Sequence, residues 1–257
     1  MAEQIKYAAK IVQMSWVTSD IASMWLEYPE AAQIAVPGQF AMLYCNDNSH
    51  LLPRPISICD IDRERGLMRF VFRIAGAGTR EFAEKKAGDL ISVIAPLGNG
   101  FKFSKSQSPV IVGGGIGIFP LLYLAKSIQV SKKVVIGYRS EPFFTDEFIE
   151  SGAELYIATE DGCKGTKGNV IDCIRENKIS GDIYFACGPM PMLRGLKEYT
   201  LDSGSETQLS LEERMACGIG VCLGCVVRSV SLDDHSHVNN KRVCKDGPVF
   251  DASQVEL

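Results

Sequence analysis

Four cysteines near the C-terminus have the spacing of an iron–sulfur ligand set. Four residues separate Cys217 from Cys222, two separate Cys222 from Cys225, and eighteen separate Cys225 from Cys244. This C-x4-C-x2-C…C spacing is typical of the plant-type [2Fe–2S] cluster. Three glycines among the first three cysteines allow close approach of the backbone, so that amide N–H groups point at the sulfurs. Because such a cluster carries one electron at a time, the pattern indicates electron transfer.

Two other uses of these four thiols stay open from the sequence. Structural zinc usually binds paired C-x2-C motifs, whereas only one such pair is present here, between Cys222 and Cys225. A disulfide framework is typical of small secreted chains, but this chain has 257 residues and begins without the apolar stretch of a signal peptide. We therefore favour the iron–sulfur interpretation over a zinc or redox-sensing module.

The remaining five cysteines show no ligand spacing. Because their neighbours are small or apolar, we expect core packing for each of Cys45, Cys59, Cys163, Cys173 and Cys187. Nine cysteines in total indicate a reducing compartment, and the expected location is the cytoplasm.

The overall composition is that of an ordinary soluble globular protein, with 46% hydrophobic and 23% charged residues. The net charge of −4 and the lack of a basic run give no support for nucleic-acid binding. Residues 109–125 carry no charge, but they include four glycines and are shorter than a membrane helix of about twenty residues. We therefore expect no membrane span.

The N-terminal part of the chain predicts an antiparallel β-barrel. Short segments rich in Val, Ile, Phe and Tyr are separated by turn signals such as Pro-Gly and Asp-Arg-Glu-Arg-Gly. The predicted strands cover residues 5–17, 21–28, 39–45, 54–61, 67–75 and 89–95. A short helix is predicted over residues 79–86, because Gly88 follows it as a stop signal.

From residue 109 onward, predicted strands and helices alternate, and this alternation indicates an α/β domain with a doubly wound parallel sheet. The predicted strands are residues 109–112, 133–138, 153–159 and 182–187, and the predicted helices are residues 118–129, 145–150, 169–177 and 190–202. From about Leu209 the chain becomes rich in glycine and cysteine. The predicted domains are therefore a barrel at 1–103, a nucleotide domain at 104–208 and a small cluster segment at 209–257.

A glycine-rich turn, residues 113–117, follows the first predicted parallel strand. Such a turn presents amide N–H groups and a helix N-terminus to a phosphate, although close helix packing alone also explains it. The turn departs from G-x-G-x-x-G because Ile118 stands at the third glycine position. The acidic ribose ligand expected about twenty residues later is missing, since the next strand ends in Tyr138 and Arg139. Arg139 could accept the 2′-phosphate of NADP, so the sequence does not decide between NAD and NADP.

A further candidate binding motif, Arg54-Pro-Ile-Ser57, lies in a predicted barrel strand. Proline within a strand indicates an edge or a bulge. Arginine suits bidentate contact with a diphosphate, and a serine hydroxyl suits a flavin ring nitrogen because it both donates and accepts. Taken alone, a surface arginine beside a turn is the simpler explanation.

In their order along the chain, these motifs resemble those of the ferredoxin-reductase-type flavoproteins. The matching segments are residues 37–40, 54–57, 76–79, 96–101, 113–117 and 187–190. More closely, residues 211–225 and 243–251 resemble the C-terminal motifs of the electron-transfer subunits of type B, NAD-dependent dihydroorotate dehydrogenases. The resemblance covers essentially the whole chain, and the cysteine-containing motifs are its most specific part.

The resemblance implies three cofactor sites. For FAD, it implies contacts from Arg54, Pro55, Ile56, Ser57, Val71, Phe72, Arg73, Gly78 and Thr79. For NAD, it implies contacts from Gly113, Gly114, Gly115, Gly117, Cys187, Gly188, Pro189 and Met190. For the [2Fe–2S] cluster, it implies the ligands Cys217, Cys222, Cys225 and Cys244. The sequence departs from the wider superfamily at Ile56, where many members carry a tyrosine that stacks on the flavin.

The resemblance also implies a partner and a direction of electron flow. An FMN-containing catalytic subunit would oxidise dihydroorotate in pyrimidine biosynthesis, and this chain would pass the electrons through its cluster and FAD to NAD⁺ in a two-plus-two heterotetramer. The chain offers no evident acid–base residue for dihydroorotate, since His50, His235 and His237 are expected in solvated loops. The nearest alternative is the diaphorase subunit of a related complex, of the sulfide dehydrogenase or ferredoxin–NADP oxidoreductase type. Four cysteines favour the dihydroorotate branch.

Overall fold

The computed structural model describes residues 6–46, 51–104, 108–232 and 237–257. No helix within these ranges combines the length and the apolar character needed to cross a membrane. No disulfide joins any of the nine cysteines, all of which lie within the described residues. His237 is exposed as predicted, whereas His50 and His235 lie outside the described residues.

Six antiparallel strands close into the predicted barrel, in the order β1-β2-β5-β4-β3-β6. Their bounds are β1 Tyr7–Thr18, β2 Ile21–Glu27, β3 Phe40–Tyr44, β4 Arg54–Asp62, β5 Leu67–Arg73 and β6 Leu90–Leu97. A helix that the sequence does not predict, α1 (Pro29–Ile34), connects β2 to β3. The helix predicted over residues 79–86 is present as α2 (Ala77–Glu84), which begins and ends two residues earlier than expected. Side chains such as Met24, Phe70 and Phe82 fill the barrel interior and have no solvent exposure.

The second half of the described chain forms the predicted α/β unit. Its parallel strands are β7 Pro109–Gly114, β8 Lys133–Tyr138, β9 Glu154–Thr159, β10 Thr166–Lys167, β11 Ile183–Cys187 and β12 Glu206–Ser210. Its helices are α3 Phe119–Ser127, α4 Thr145–Glu150, α5 Val170–Glu176 and α6 Met190–Ser203. The C-terminal segment adds β13 Val226–Arg228, β14 Asn240–Arg242 and β15 Val249–Asp251. The large sheet has the order β10-β9-β8-β7-β11-β12-β15.

Helices cover both faces of this sheet, as a doubly wound fold requires. On β7, Ile111 belongs to the core shared with Leu122 of α3, whereas Val112 belongs to the core shared with Ile174 of α5 and Leu193 of α6. Strand residues alternate between the two faces, so each face acquires its own apolar layer. Each of these side chains is buried, which stabilises the fold by about 1.5–3 kcal/mol per side chain.

The sheet extends beyond the last strand that the sequence predicts. β12 pairs in parallel with β11, and β15 pairs antiparallel with β12, so the C-terminal segment contributes an edge strand. Five cysteines were expected in the core. Cys59, Cys173 and Cys187 are buried there, and Cys45 is half-buried.

The expectation of core packing is wrong for Cys163, which is exposed. It lies in the loop between β9 and β10, where Gly162 and Gly165 both have positive φ, a conformation typical of turns. The backbone N–H of Cys163 donates to Oδ1 of Asp161 at 3.0 Å. Turn chemistry, and not the small neighbours of this cysteine, decides its place.

Polar contacts hold the barrel against the α/β unit. Arg69 of β5 forms a bidentate pair with Glu147 of α4, with 3.0 Å between Nη2 and Oε1. The hydroxyl of Tyr123 accepts from Nη2 of Arg63 at 2.8 Å and donates to the carbonyl of Ala35 at 2.9 Å. These contacts join α3 and α4 to the barrel, so the two units are packed directly on one another.

The C-terminal segment contacts both units. The side-chain Nδ2 of Asn99, just after β6, donates to the carbonyl oxygens of Lys245 and Asp246, each at 3.0 Å. The backbone N–H of Asn99 donates to the carbonyl of Gly247 at 2.6 Å. On the other side, β15 pairs with β12 of the large sheet. The segment is therefore hydrogen-bonded to the barrel and to the nucleotide unit at once.

Candidate functional site

The loop that carries the first three candidate cluster cysteines packs on barrel strand β3. Gly218 and Gly220 have φ of 70° and 84°, a left-handed conformation that favours glycine. A Cβ on Gly218 would lie 2.5 Å from Cγ of Met42, a buried residue of β3. The neighbouring thiol of Cys217 also interacts electrostatically with Tyr44 of the same strand. The loop therefore lies in direct contact with the barrel.

The four thiols form two neighbouring pairs. Cys217 is hydrogen-bonded to Cys222, and Cys244 is hydrogen-bonded to Cys225. The backbone N–H of Cys244 also donates to Sγ of Cys225 at 3.4 Å. An electrostatic interaction between Cys217 and Cys244 connects the two pairs. Two pairs of thiolates suit two irons, each with two protein ligands, which is the donor set of a [2Fe–2S] cluster.

The loop favours the thiolate form of Cys217. Burial alone would raise the pKa of Cys217, but backbone N–H groups of Cys222, Ile219 and Val221 and the Cys222 thiol outweigh this effect and lower the pKa to about 6. Burial and the neighbouring Cys225 instead raise the pKa of Cys244 to about 12. Amide donors that stabilise a negative sulfur also stabilise metal-bound thiolates. The loop is thus suited to iron–sulfur ligation.

Structural zinc and a [2Fe–2S] cluster both need four converging donors, either on one ion or on two bridged irons. In the part of the chain that the structure describes, no three His, Cys, Asp or Glu side chains form a group that could hold a metal ion. The preference for an iron–sulfur cluster therefore rests on the spacing of the four cysteines.

A slot between β4 and β5 brings together residues that the resemblance assigns to FAD. The β4–β5 ladder begins at the pair Ile58 and Phe70. Beyond that pair, residues 54–57 of β4 pair with β3, and residues 71–73 of β5 pair with β2. The two strands therefore part, and the edge of residues 54–57 faces the opening. Pro55 lies on this edge, as predicted, where its missing N–H costs no ladder hydrogen bond.

Arg54 and the start of α2 close one end of this slot. A Cβ on Gly78 would lie 2.6 Å from Nε of Arg54, so the guanidinium rests directly on the first turn of the helix. The Thr79 hydroxyl accepts from the backbone N–H groups of Ala75 and Gly76, at 2.9 and 3.2 Å. A guanidinium beside a helix N-terminus is a favourable environment for a diphosphate. The residues present therefore fit FAD by their chemistry.

The three β5 residues beside the slot have different surroundings. Phe72 points into the barrel, where its ring packs edge-on against Phe82 at 6.0 Å between centroids. Val71 is buried in the core shared with the nucleotide unit. Arg73 is exposed, and its Nε lies 3.0 Å from Oδ2 of Asp20. Because its side chain points into the barrel, Phe72 can contact a ligand in the slot only through its backbone.

A cleft of about 790 Å³ lies at the carboxyl ends of the parallel strands, where open α/β sheets bind their ligands. Of the residues that the resemblance assigns to NAD, Gly114, Gly115 and Pro189 line this cleft. Gly117 and Cys187 are buried, and a Cβ on Gly117 would lie 2.5 Å from the carbonyl carbon of Cys187. Close packing of strand ends therefore explains Gly117, while Gly115, with φ of 58°, is needed for its backbone conformation.

Cys187 stays a neutral thiol under this cleft. Burial raises its pKa, the nearby Glu212 carboxylate raises it further, and a hydrogen bond with Ser210 opposes the two effects. Three further cleft residues, Glu141, Glu160 and Asn169, are absent from the sequence-based candidates. Asn169 has a recognisable signal, because it begins α5 as a capping residue and accepts from the N–H of Ile171 at 2.8 Å.

Comparison with known proteins agrees with this geometry. Residues 212–256 match the model of the family described as the iron–sulfur cluster binding domain of dihydroorotate dehydrogenase B. A full-length relative from Caldanaerobacter subterraneus subsp. tengcongensis is the dihydroorotate dehydrogenase B (NAD(+)) electron transfer subunit. It is 38% identical over 251 residues, which cover 97% of this chain and 98% of the relative. The chain belongs to this family of electron transfer subunits.

A second member of the family, from Fusobacterium nucleatum subsp. nucleatum, is 41% identical over 254 residues and covers 94% of this chain and 95% of its own. A solved structure of an NADH-dependent reduced ferredoxin–NADP oxidoreductase, described in connection with flavin-based electron bifurcation, matches with a TM-score of 0.86. It is 29% identical and covers all of this chain and 91% of the other. The predicted family membership and the predicted ferredoxin-reductase-like fold are therefore confirmed.

Proposed function

We propose that this chain is the electron transfer subunit of an NAD-dependent dihydroorotate dehydrogenase. The observation that carries the proposal is the two paired sets of thiols, Cys217 with Cys222 and Cys225 with Cys244, packed on the barrel that holds the candidate FAD slot. Relatives with 38% and 41% identity over nearly the whole chain bear the same description. The domain division at residues 1–103, 104–208 and 209–257 stays part of this proposal.

When bound, FAD supplies the exchange between the two electrons of a hydride and the single electrons of an iron–sulfur cluster. The residues of this chain hold and orient these groups. Arg54 and the start of α2 suit the FAD diphosphate, and Ser57 lies on the open edge of β4. The four cysteines would hold the [2Fe–2S] cluster, with backbone amides of the loop stabilising negative charge on Cys217.

The cleft of the nucleotide unit would hold NAD. Gly114 and Gly115 bring the backbone close to the nucleotide phosphates at the end of β7. Arg73 reaches the same cleft from the barrel, so the FAD slot and the nucleotide cleft share a wall. This shared wall supports hydride transfer between nicotinamide and flavin without movement of one unit past the other.

An apolar surface around Cys222 supports the docking of a catalytic subunit. We define the cluster rim as Ile219, Val221 and Leu223, whose side chains are 42%, 75% and 59% exposed. Leu223 has φ of 56°, a conformation that costs a bulky residue energy and that places its side chain in solvent. Apolar side chains in such exposed positions mark a protein interaction site. The proposed occupant is the FMN-containing subunit that oxidises dihydroorotate.

Further parts of the proposal concern the assembly and its location. The proposed complex is a two-plus-two heterotetramer with the catalytic subunit, acting in pyrimidine biosynthesis. Nine cysteines without a disulfide suit a reducing compartment, and the cytoplasm is the proposed location.

A second candidate function is the diaphorase subunit of a related complex. The structure of the NADH-dependent ferredoxin–NADP oxidoreductase supports it, because the similarity extends over the entire chain. The dihydroorotate branch is favoured by higher sequence identity and by the match of residues 212–256 to the iron–sulfur domain of that family. The two candidates differ in the partner that docks on the cluster rim.

The test is co-expression of the chain with the FMN-containing dihydroorotate dehydrogenase of the same organism. The purified complex should reduce NAD⁺ with dihydroorotate, whereas neither subunit alone should do so. Failure of the two chains to co-purify would contradict the proposal and favour the second candidate.

A pair of exposed cysteines supplies a matched variant and control. Cys222→Ser should abolish dihydroorotate-dependent reduction of NAD⁺ while NADH still reduces ferricyanide through FAD. Cys163→Ser should leave both activities unchanged, because Cys163 is also exposed but lies in the loop after β9. Full dihydroorotate-dependent activity in the Cys222→Ser complex would refute the role of the cluster.

A further inference from the structure

Glu160 occupies a distinctive position in the nucleotide cleft. It directly follows β9 and lines the part of the cleft that lies toward the β10 edge of the sheet. Its backbone N–H donates to the carbonyl of Tyr138 at 3.1 Å, and the next N–H, of Asp161, donates to the carbonyl of Arg139 at 3.3 Å. These bonds extend the β8–β9 pairing beyond the regular strands. They hold the Glu160 backbone directly beside Arg139.

The loop behind Glu160 is fixed by Thr159. The Thr159 side chain is fully buried, and its hydroxyl donates to the carbonyl of Lys164 at 2.8 Å. The carbonyl of Thr159 accepts from the N–H groups of Gly162 and Gly168, at 3.1 and 2.9 Å. The adjacent carboxylate, Asp161, is engaged within the loop, where its Oδ1 accepts from the N–H of Cys163. Glu160 is therefore the carboxylate of this loop that lines the cleft.

The strand order indicates which half of a dinucleotide lies near Glu160. The glycine turn that suits the pyrophosphate follows β7, which is flanked by β11 on one side and β8 on the other. The barrel meets the β11 side of the sheet, where Phe101, just after β6, packs against Phe185 of β11 with 5.5 Å between ring centroids, and Arg73 of the barrel also lines the cleft. The nicotinamide must approach the flavin slot of the barrel, so the adenosine half extends over β8 and β9. Glu160 lies at that end.

The charges at the adenosine end of the cleft oppose a 2′-phosphate. Arg139, which the sequence offered as a partner for that phosphate, shares the cleft with two acidic residues, Glu141 and Glu160. Among the charged residues that line this end of the cleft, the acidic ones therefore outnumber the single basic one. A second phosphate would bring further negative charge into it, whereas a ribose hydroxyl can donate a hydrogen bond to a carboxylate.

We propose that Glu160 accepts the adenosine ribose hydroxyls and thereby selects NAD over NADP. The carboxylate follows β9, the strand after β8. It therefore lies farther along the chain than the usual position of an acidic ribose ligand, about twenty residues beyond the glycine turn. The inference rests on the proposed function, since it requires that the cleft binds a nicotinamide nucleotide.

The test measures NADH and NADPH oxidation by the flavin-loaded chain, with ferricyanide as electron acceptor. Wild type should prefer NADH in kcat/KM. Glu160→Gln should reduce this preference on the order of tenfold to a hundredfold, as expected for one hydrogen bond to a charged group. The change should lie in KM with kcat retained, because Glu160 is remote from the nicotinamide end. Glu154→Gln, an exposed position at the other end of β9, is the charge-matched control and should keep the wild-type preference.

A binding measurement separates this inference from the proposed function. Competition against NADH with AMP and with adenosine 2′,5′-bisphosphate, which differ only in the 2′-phosphate, should show that wild type binds AMP more tightly and that Glu160→Gln narrows this difference in affinity. If wild type oxidises neither nucleotide, the proposed function fails. If wild type oxidises NADH but Glu160→Gln keeps both the nucleotide preference and the AMP preference, the inference about Glu160 alone is overturned. Equal use of NADH and NADPH by wild type would overturn it as well.

Discussion

Substitution of Gly218 by alanine tests the contact between the cluster loop and the barrel. Gly218 has φ of 70°, so any L-residue there carries a cost of about 1–2 kcal/mol for the left-handed conformation. The added Cβ would also lie 2.5 Å from Cγ and 2.9 Å from Sδ of Met42. Met42 is completely buried and pairs with Pro55 and Ile94 on the neighbouring strands, so it has no path to solvent. Overpacking of this kind costs a further ~1–3 kcal/mol.

Gly204 provides a control with the same backbone conformation and no steric conflict. It ends α6 with φ of 69°, and a Cβ there would meet no atom within 4 Å. Gly204→Ala should therefore cost only the conformational part. At about 2–4 °C per kcal/mol, Gly218→Ala should unfold about 2–12 °C below Gly204→Ala.

The assay is thermal unfolding of the cofactor-loaded chain, followed by circular dichroism and accompanied by iron analysis. The double variant Met42→Ala/Gly218→Ala should lose less stability than the sum of the single variants, because removal of the Met42 side chain makes room for the new methyl group. Gly218→Ala should also lower the iron content, since Gly218 follows Cys217, one of the four proposed ligands. Equal unfolding temperatures for Gly218→Ala and Gly204→Ala, or additive losses in the double variant, would refute the contact as described.

Three further outcomes are expected. Val221→Asp should weaken binding of the catalytic subunit at least tenfold in calorimetry without changing thermal stability, whereas Leu201→Asp, 63% exposed on α6, should have no effect on binding. Glu147→Gln should lower the free energy of unfolding by about 1–3 kcal/mol, because the partly buried guanidinium of Arg69 then loses its charged partner. An unchanged unfolding temperature would argue against this. In the iron-free chain, the pKa of Cys217 is about 6, so its thiolate should form above that pH. The rate at which iodoacetamide labels Cys217 should therefore rise with pH, with a midpoint near pH 6. A midpoint near pH 9 would contradict the role of the loop amides.

Local patterns in the sequence predicted most of the fold. The barrel strands and the four main parallel strands are short apolar runs bounded by turn residues, and all of them are present in the structure. β12 was missed because its residues, Glu206–Ser210, include a single large apolar side chain, Leu209. This strand exists because β11 and β15 pair with it on either side, and such long-range pairing leaves no periodic signal in the segment itself.

In the candidate site as well, residues with a local sequence pattern were predicted and those placed by long-range contacts were missed. The cysteine spacing predicted a ligand set, because three of the four proposed ligands lie close together in sequence, and the structure places these thiols in two neighbouring pairs. Glu160 was not found, because it reaches the cleft through the lateral order of strands rather than through its distance from the glycine turn. Cys163 was misplaced for a related reason, since small neighbours are common to tight cores and to exposed glycine turns.

The hydrogen bonds of Asn99 and the pairing of β15 with β12 have a consequence for the speed of electron flow. They fasten the C-terminal segment to both other units, so the distance between a cluster held by this segment and a flavin held by the barrel would be set by the fold and would stay the same from one turnover to the next. Electron tunnelling weakens steeply with distance, and a fixed distance would remove any waiting time for a swinging carrier. The internal hop should therefore be insensitive to solvent viscosity, and throughput should depend on the arrival and departure of nucleotide and partner substrate.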